Sequence, residues 1–155
     1  MSRTDPRPDP TIDAGATIDD LMTAFYASIS GPAGERDWEL QRSLFVPGGR
    51  LNAMSWNDGE PRLESMSLAE YAASRGPYFA ANDFYEVEIA RREQRWSSLA
   101  LIASAYEGRR QPDGAAIVRG LNLLHLVHLE NRWWITAVTW KHERPDDRLP
   151  PEFLE

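Results

Sequence analysis

The 155-residue chain contains no cysteine, which excludes disulfides, thiolate nucleophiles and thiolate metal sites together. It also lacks any apolar run near the roughly 18 residues that a membrane span requires. Met1-Ser2-Arg3-Thr4-Asp5-Pro6 has no apolar stretch of the kind a secretory signal needs, so a cytoplasmic protein is expected. Positive charge is in deficit, with 17 basic against 24 acidic residues and a net charge of -7. A surface of that sign repels phosphate backbones and anionic lipid, so neither nucleic acid nor membrane is an expected partner. Glycine-rich phosphate loops and nucleophile elbows are missing too, and no cofactor is expected. What remains is ordinary for a single globular domain, with 42% hydrophobic and 26% charged residues.

Pro6, Pro8 and Pro10 lie among Asp5, Asp9 and Asp13, so residues 1–16 read as a disordered arm. Residues 144–155 read as a tail, in which Phe153 and Leu154 are poised to dock on the body or on a neighbour. The domain proper is expected over 17–143. Thr17, with Asp20 three residues on, starts a helix whose Ile18, Leu21, Met22, Phe25, Tyr26 and Ile29 make one apolar stripe. Ser30-Gly31-Pro32 stops it. A second helix is expected over 37–45, ended by Pro47-Gly48-Gly49, then a short strand over 50–54 and a loop over 55–64. Ser67 and Glu70 cap a third helix, which Gly76-Pro77 interrupts.

From Asp83 the period becomes strand-like. Tyr85, Val87 and Ile89 alternate with Glu86 and Glu88, which reads as a strand with a wet carboxylate face. Residues 99–106 are apolar on both faces and need cover on both sides. Two long strands, 115–129 and 132–143, follow around a tight turn at Glu130-Asn131. Three helices and then a run of strands make an α+β domain: a cone-shaped, curved antiparallel sheet packed by about three N-terminal helices around a cavity.

This order resembles the nuclear transport factor 2-like superfamily, in particular its small bacterial SnoaL-like members. The matching residues are Phe25-Tyr26, the Leu44-Phe45-Val46-Pro47 turn, and a last hairpin running from Gly120-Leu121-Asn122 to Asn131-Arg132-Trp133-Trp134-Ile135. The resemblance covers about 17–143 and implies a fold, since the same scaffold hosts isomerases, dehydratases, cyclases and binding proteins.

Pairing across Glu130-Asn131 puts Leu121, Leu123, His125, Val127, Trp134, Thr136, Val138 and Trp140 on one face. These bulky groups, mixed with polar ones, read as a cavity wall. The other face, with Asn122, Leu124, Leu126, Ile135 and Ala137, is smoother and suits contact with a second sheet. Members that resemble ketosteroid isomerase place an aromatic on the last strand, where Trp140 falls, and an acid near His125. Their aspartate at the end of the first strand is absent from Leu51-Asn52-Ala53-Met54, so that chemistry is not expected.

His125 and Tyr26 are the candidate proton-handling residues. Trp56, Tyr106, Leu121, Leu123, Val127, Trp134, Val138 and Trp140 are the candidate ligand contacts, Trp56 as a lid. Which face of 98–107 lines the cavity stays open. His128 falls on the opposite strand face from His125, so no metal site is expected. Three functions fit: a small-molecule-binding protein for a hydrophobic or aromatic ligand, an isomerase or lyase with a histidine–tyrosine proton shuttle, and a non-catalytic association module. A homodimer through the convex sheet face is expected in each.

Overall fold

A computed structural model of the chain describes residues 14–155. The expected arm over 1–16 therefore lies, but for its last three residues, outside the described part. Gly15 is buried, and its carbonyl accepts a hydrogen bond from the Trp133 amide at 2.8 Å.

Helix α1 (Ile18–Ile29) forms as its pattern dictates. The Thr17 hydroxyl accepts from the Asp20 amide at 3.0 Å, and the whole apolar stripe is buried. At its other end the guanidinium of Arg36, itself buried, donates to the carbonyls of Ile29, Gly31 and Pro32 and lies over the Phe79 ring. These bonds satisfy carbonyls the helix cannot use. Helix α2 (Trp38–Leu44) is capped by Asp37. Helix α3 (Leu68–Ala81) is capped by Ser67 and runs through Gly76-Pro77 without the expected break. Proline forfeits one backbone bond there, and packing of Tyr71 and Phe79 holds the helix together.

Six strands, the first two lying in the chain between α2 and α3, form a curved, unclosed sheet: β1 (Phe45–Asn57), β2 (Glu60–Met66), β3 (Tyr85–Trp96), β4 (Leu99–Arg109), β5 (Ala116–Leu129) and β6 (Arg132–His142). The spatial order is β2-β1-β6-β5-β4-β3. All neighbours are antiparallel except β1 and β6, which run parallel, so the sheet is mixed rather than purely antiparallel as expected. The loop expected over 55–64 is a hairpin instead. Asp58 and Gly59 both take positive φ (51° and 79°), the turn that matches strand twist, and β2 pairs back along β1.

The last hairpin turns at Glu130-Asn131, as the sequence indicates, with both residues at positive φ. Its register then shifts. Leu126 pairs with Ile135 but His125 pairs with Ala137, so Thr136 is an extra residue in β6. Before the bulge Trp133 and Ile135 face the helices; beyond it Val138 does, with Trp140 on the same side. On β5 the inner residues are Gly120, Asn122, Leu124 and Leu126, all buried. The face assignment from uninterrupted pairing is thus corrected. Val138 and Trp140 are inside, whereas Leu121, Leu123, His125, Val127, Trp134 and Thr136 belong to the outer face. On β4 the buried Ala100, Ile102, Ser104 and Tyr106 face inward, which decides the open alternative.

Residues 144–155 fold back over the outer face. The Leu149 amide donates to Glu143 at 2.9 Å, and a short 3-10 turn, Pro151–Leu154, packs on β3 and β4.

Candidate functional site

The inner face of the sheet and helix α3 leave an open pocket of about 350 Å³ between them. Its walls are largely aromatic: Tyr71, Tyr78 and Phe79 from α3, Phe84 before β3, and Trp140 from β6. The rings stack edge to face in sequence, Tyr71 on Trp140 at 5.9 Å and Tyr78 on Phe84 at 6.1 Å, which fixes the wall. A smaller recess of about 40 Å³ continues inward from Tyr71, Glu86 and Trp140 to Gln41, Asn122 and Val138.

Besides the tyrosines, three ionisable side chains line the pocket: Glu86 on β3, Arg75 on α3 and His142 at the end of β6. Glu86 is the unusual one. Burial among apolar groups pushes its carboxyl up to about 8, against the opposing pull of a hydrogen bond from Asn122. It is therefore mostly protonated at pH 7. His142 is held below its ordinary range by burial and then by the Arg75 charge, so it is neutral there. Its Nδ1 shares a hydrogen bond of 2.9 Å with the Tyr106 hydroxyl. That contact needs Gly120: a Cβ at this position would lie 2.4 Å from the Tyr106 oxygen and 2.4 Å from the Lys141 carbonyl.

Behind the recess a polar chain crosses the core. The Asn122 amide donates to the Tyr26 hydroxyl at 3.1 Å, Tyr26 and Ser104 are 2.6 Å apart, and Ser104 donates to Glu88 at 2.5 Å. Glu88 pairs with Arg91 at 2.8 Å. Tyr26 is pushed well above its ordinary range, chiefly by burial and next by the Glu86 charge. The site can thus offer a hydrogen-bond donor, or a carboxyl able to exchange a proton near neutral pH, to a molecule held between aromatic rings.

No protein-family profile matches the chain, and no curated protein matches its sequence. Solved structures do match in fold. A protein of unknown function with a cystatin-like fold from Nostoc punctiforme is 12% identical, with a TM-score of 0.63 over 83% of this chain and 90% of that one. A nuclear transport factor 2-like protein of unknown function from Silicibacter pomeroyi is 16% identical, with a TM-score of 0.56 over 83% and 94%. The chain has the nuclear transport factor 2-like fold. A third match, provisionally assigned as a ketosteroid isomerase, comes from Shewanella frigidimarina; it is 17% identical, with a TM-score of 0.53 over 78% and 91%.

Within this nuclear transport factor 2-like fold, the residues singled out from the sequence are scattered. Trp140 lines the pocket and Val138 its inner recess. Tyr106 reaches the pocket's edge through His142, and Tyr26 lies behind Asn122 in the core. His125, Leu121, Leu123, Val127 and Trp134 are not brought to the pocket; their strand positions face outward because of the Thr136 bulge. His125 and Val127 line an outer groove with Leu99 and Leu101. Trp56 is not brought to the pocket: it lies near the end of β1, paired with Pro61 of β2, with Lys141 Nζ 4.7 Å and Arg144 Cζ 4.1 Å from its ring centre. The wet-face reading of Glu86 and Glu88 is likewise corrected, since the first lines the pocket and the second bonds inward-facing Ser104. Their alternation with Tyr85, Val87 and Ile89 gives no sign of this, because a carboxylate stripe looks alike whether water or a cavity meets it.

Proposed function

We propose that this protein binds a small, mainly apolar, aromatic or alicyclic molecule carrying a hydrogen-bond acceptor. The observation that carries this reading is the Glu86 carboxyl in a pocket whose other walls are Tyr71, Tyr78, Phe79, Phe84 and Trp140. A volume of about 350 Å³ lies at the lower end of small-molecule sites, roughly 300–1,000 Å³, and few polar groups in an apolar lining are typical of them. The protonated carboxyl donates to a carbonyl or ether oxygen on the ligand, and the rings stack on its flat faces. The test is an NMR titration with a panel of neutral aromatic ketones and matched carboxylates. Ketones should shift the Trp140 indole and the α3 amides, with wild-type affinity falling as the pH is raised through about 8 and Glu86 loses its proton, and with no such fall in Glu86→Gln, which keeps a donor at every pH. Shifts confined to the outer sheet face, or none at all, would end the proposal.

A second reading is an isomerase or lyase, favoured by the same carboxyl: a general acid or base works best when its pKa lies near the working pH. Here Glu86 takes the proton-transfer role that the sequence suggested for His125, and neutral His142 stands across the pocket as its counterpart. In D2O, a bound ketone should then exchange its α-hydrogens at a rate lost in Glu86→Gln. Binding without exchange leaves the first reading alone. A second copy of this chain is the proposed macromolecular partner, through the outer sheet face.

A further inference from the structure

The polar chain behind the pocket has a direction, fixed at its outer end. Glu88, held by Arg91 through both carboxylate oxygens, can only accept. Ser104 has one hydroxyl hydrogen, and it goes to Glu88. The 2.6 Å contact between Ser104 and Tyr26 is therefore donated by Tyr26, which leaves the tyrosine oxygen as an acceptor. The Asn122 amide nitrogen fills that position at 3.1 Å. Of the two oriented ends of Asn122, it is thus the NH2 group that is pinned toward the core; it has a second hydrogen to give, and Glu86 lines the same small recess as Asn122.

We propose that Glu88, Ser104 and Tyr26 form a one-way hydrogen-bond chain that locks the Asn122 amide so that it donates to Glu86, making Tyr26 and Asn122 positioning residues for the pocket's carboxyl. With the chain broken, the amide is free to turn its oxygen toward Glu86, and a carboxylate facing an acceptor is disfavoured. The chain begins at a surface ion pair, where Arg91 also meets Asp19 at 2.5 Å on α1. It thereby links the packing of α1 on β3 to the charge of the pocket.

The other groups around Glu86 do not supply this effect. Arg75 and His142 line the pocket with it, Tyr71 faces it from α3, and Tyr106 from β4. None is hydrogen-bonded to Ser104 or to the Tyr26 oxygen among the described residues.

The inference rests on Glu86 being the pocket's working group, but its test needs no ligand. The Glu86 carboxyl carbon is followed by NMR across pH 5–10 in the full chain, assigned with Glu86→Gln. Ser104→Ala and Tyr26→Phe change no formal charge and leave Glu86 and the rings of the pocket wall in place. Each should raise the Glu86 midpoint by roughly half to one pH unit, the worth of one hydrogen bond, with Asn122→Ala doing the same. An unchanged or lowered midpoint in Ser104→Ala or Tyr26→Phe, with the amide spectrum otherwise native, overturns the chain. Loss of ligand binding alone, with both midpoints raised, would instead count against the proposed function.

Discussion

At the scale of single residues the energetics centre on Glu86. An ordinary glutamate near 4.5 becomes one near 8 here, and the cause is burial. The consequence for stability has a definite sign. Between those two values the unfolded chain gives up the proton while the folded chain keeps it, so stability falls as pH rises through that window and levels off above about 8. Each pH unit separating the folded and unfolded midpoints is worth about 1.4 kcal/mol, so Glu86→Gln should be more stable than wild type by on the order of 5 kcal/mol at pH 9, and about equal to it at pH 4. Urea unfolding at the two pH values reads this directly. Equal pH dependence in both proteins would mean that Glu86 is solvated. No residue pattern carries this information. The sequence places Glu86 and Glu88 on one strand face, which is correct; whether that face is wet depends on α1 and α3, which the fold lays over it. Trp140, by contrast, is legible, because a tryptophan on a last strand beside β-branched neighbours has few places to go but inward.

At the scale of elements, the caps and stripes of the helices are legible: Thr17 and Ser67 accept the expected amides, and Asp37, where the second helix is expected to begin, caps it as well. The strands are legible as strands and not as faces. Uninterrupted alternation through Trp134, Thr136, Val138 and Trp140 puts all four on one side. Thr136 breaks that alternation, its hydroxyl donating to the His125 carbonyl at 3.1 Å. Regular pairing from the Glu130-Asn131 turn keeps Trp140 on one face with Leu121, Leu123, His125 and Val127, so that with Trp140 inside it turns β5 inside out. Nothing in Ile135-Thr136-Ala137 announces a bulge, since threonine and alanine fit a regular strand as well. The bulge is therefore the element on which the pocket depends. Deleting Thr136 restores strict pairing and must send either Trp133 and Ile135, or Val138 and Trp140, out to solvent. Such a variant should lose cooperative thermal unfolding, whereas Thr136→Ala, which keeps the extra residue, should cost only about 1 kcal/mol for the lost hydrogen bond. A deletion variant that melts like wild type would show that the two faces can exchange.

At the scale of the whole molecule, the inner face of the sheet is served by its helices and the outer face is not. Trp96 is 79% exposed and Leu99 51%, and Leu101, Leu123 and Leu129 are exposed beside them. The C-terminal turn brings Phe153 against Leu101, Ala103 and Leu123, but a groove of about 480 Å³ from Trp96 and Leu99 to His125 and Thr136 stays open. Soluble monomers seldom leave a contiguous apolar patch beyond a few hundred Å² uncovered. A two-fold partner presenting the same face would bury Leu99 and Leu101 against themselves or their neighbours, which is the economy of an isologous interface. The face predicted from sequence to be smooth is the wrong side of β5, yet the expectation of an apolar outer surface survives in the residues that replace it. The chain should then run as a dimer in size-exclusion chromatography with light scattering at micromolar concentration. Leu99→Glu with Leu101→Glu should shift it to monomer, because like charges would meet across the two-fold axis in a desolvated patch. The Glu86 midpoint should stay where it is in that variant, since the sheet separates the two surfaces. A wild-type monomer would refute the dimer, and a monomeric variant with a displaced Glu86 midpoint would show that outer-face packing shapes the pocket behind it.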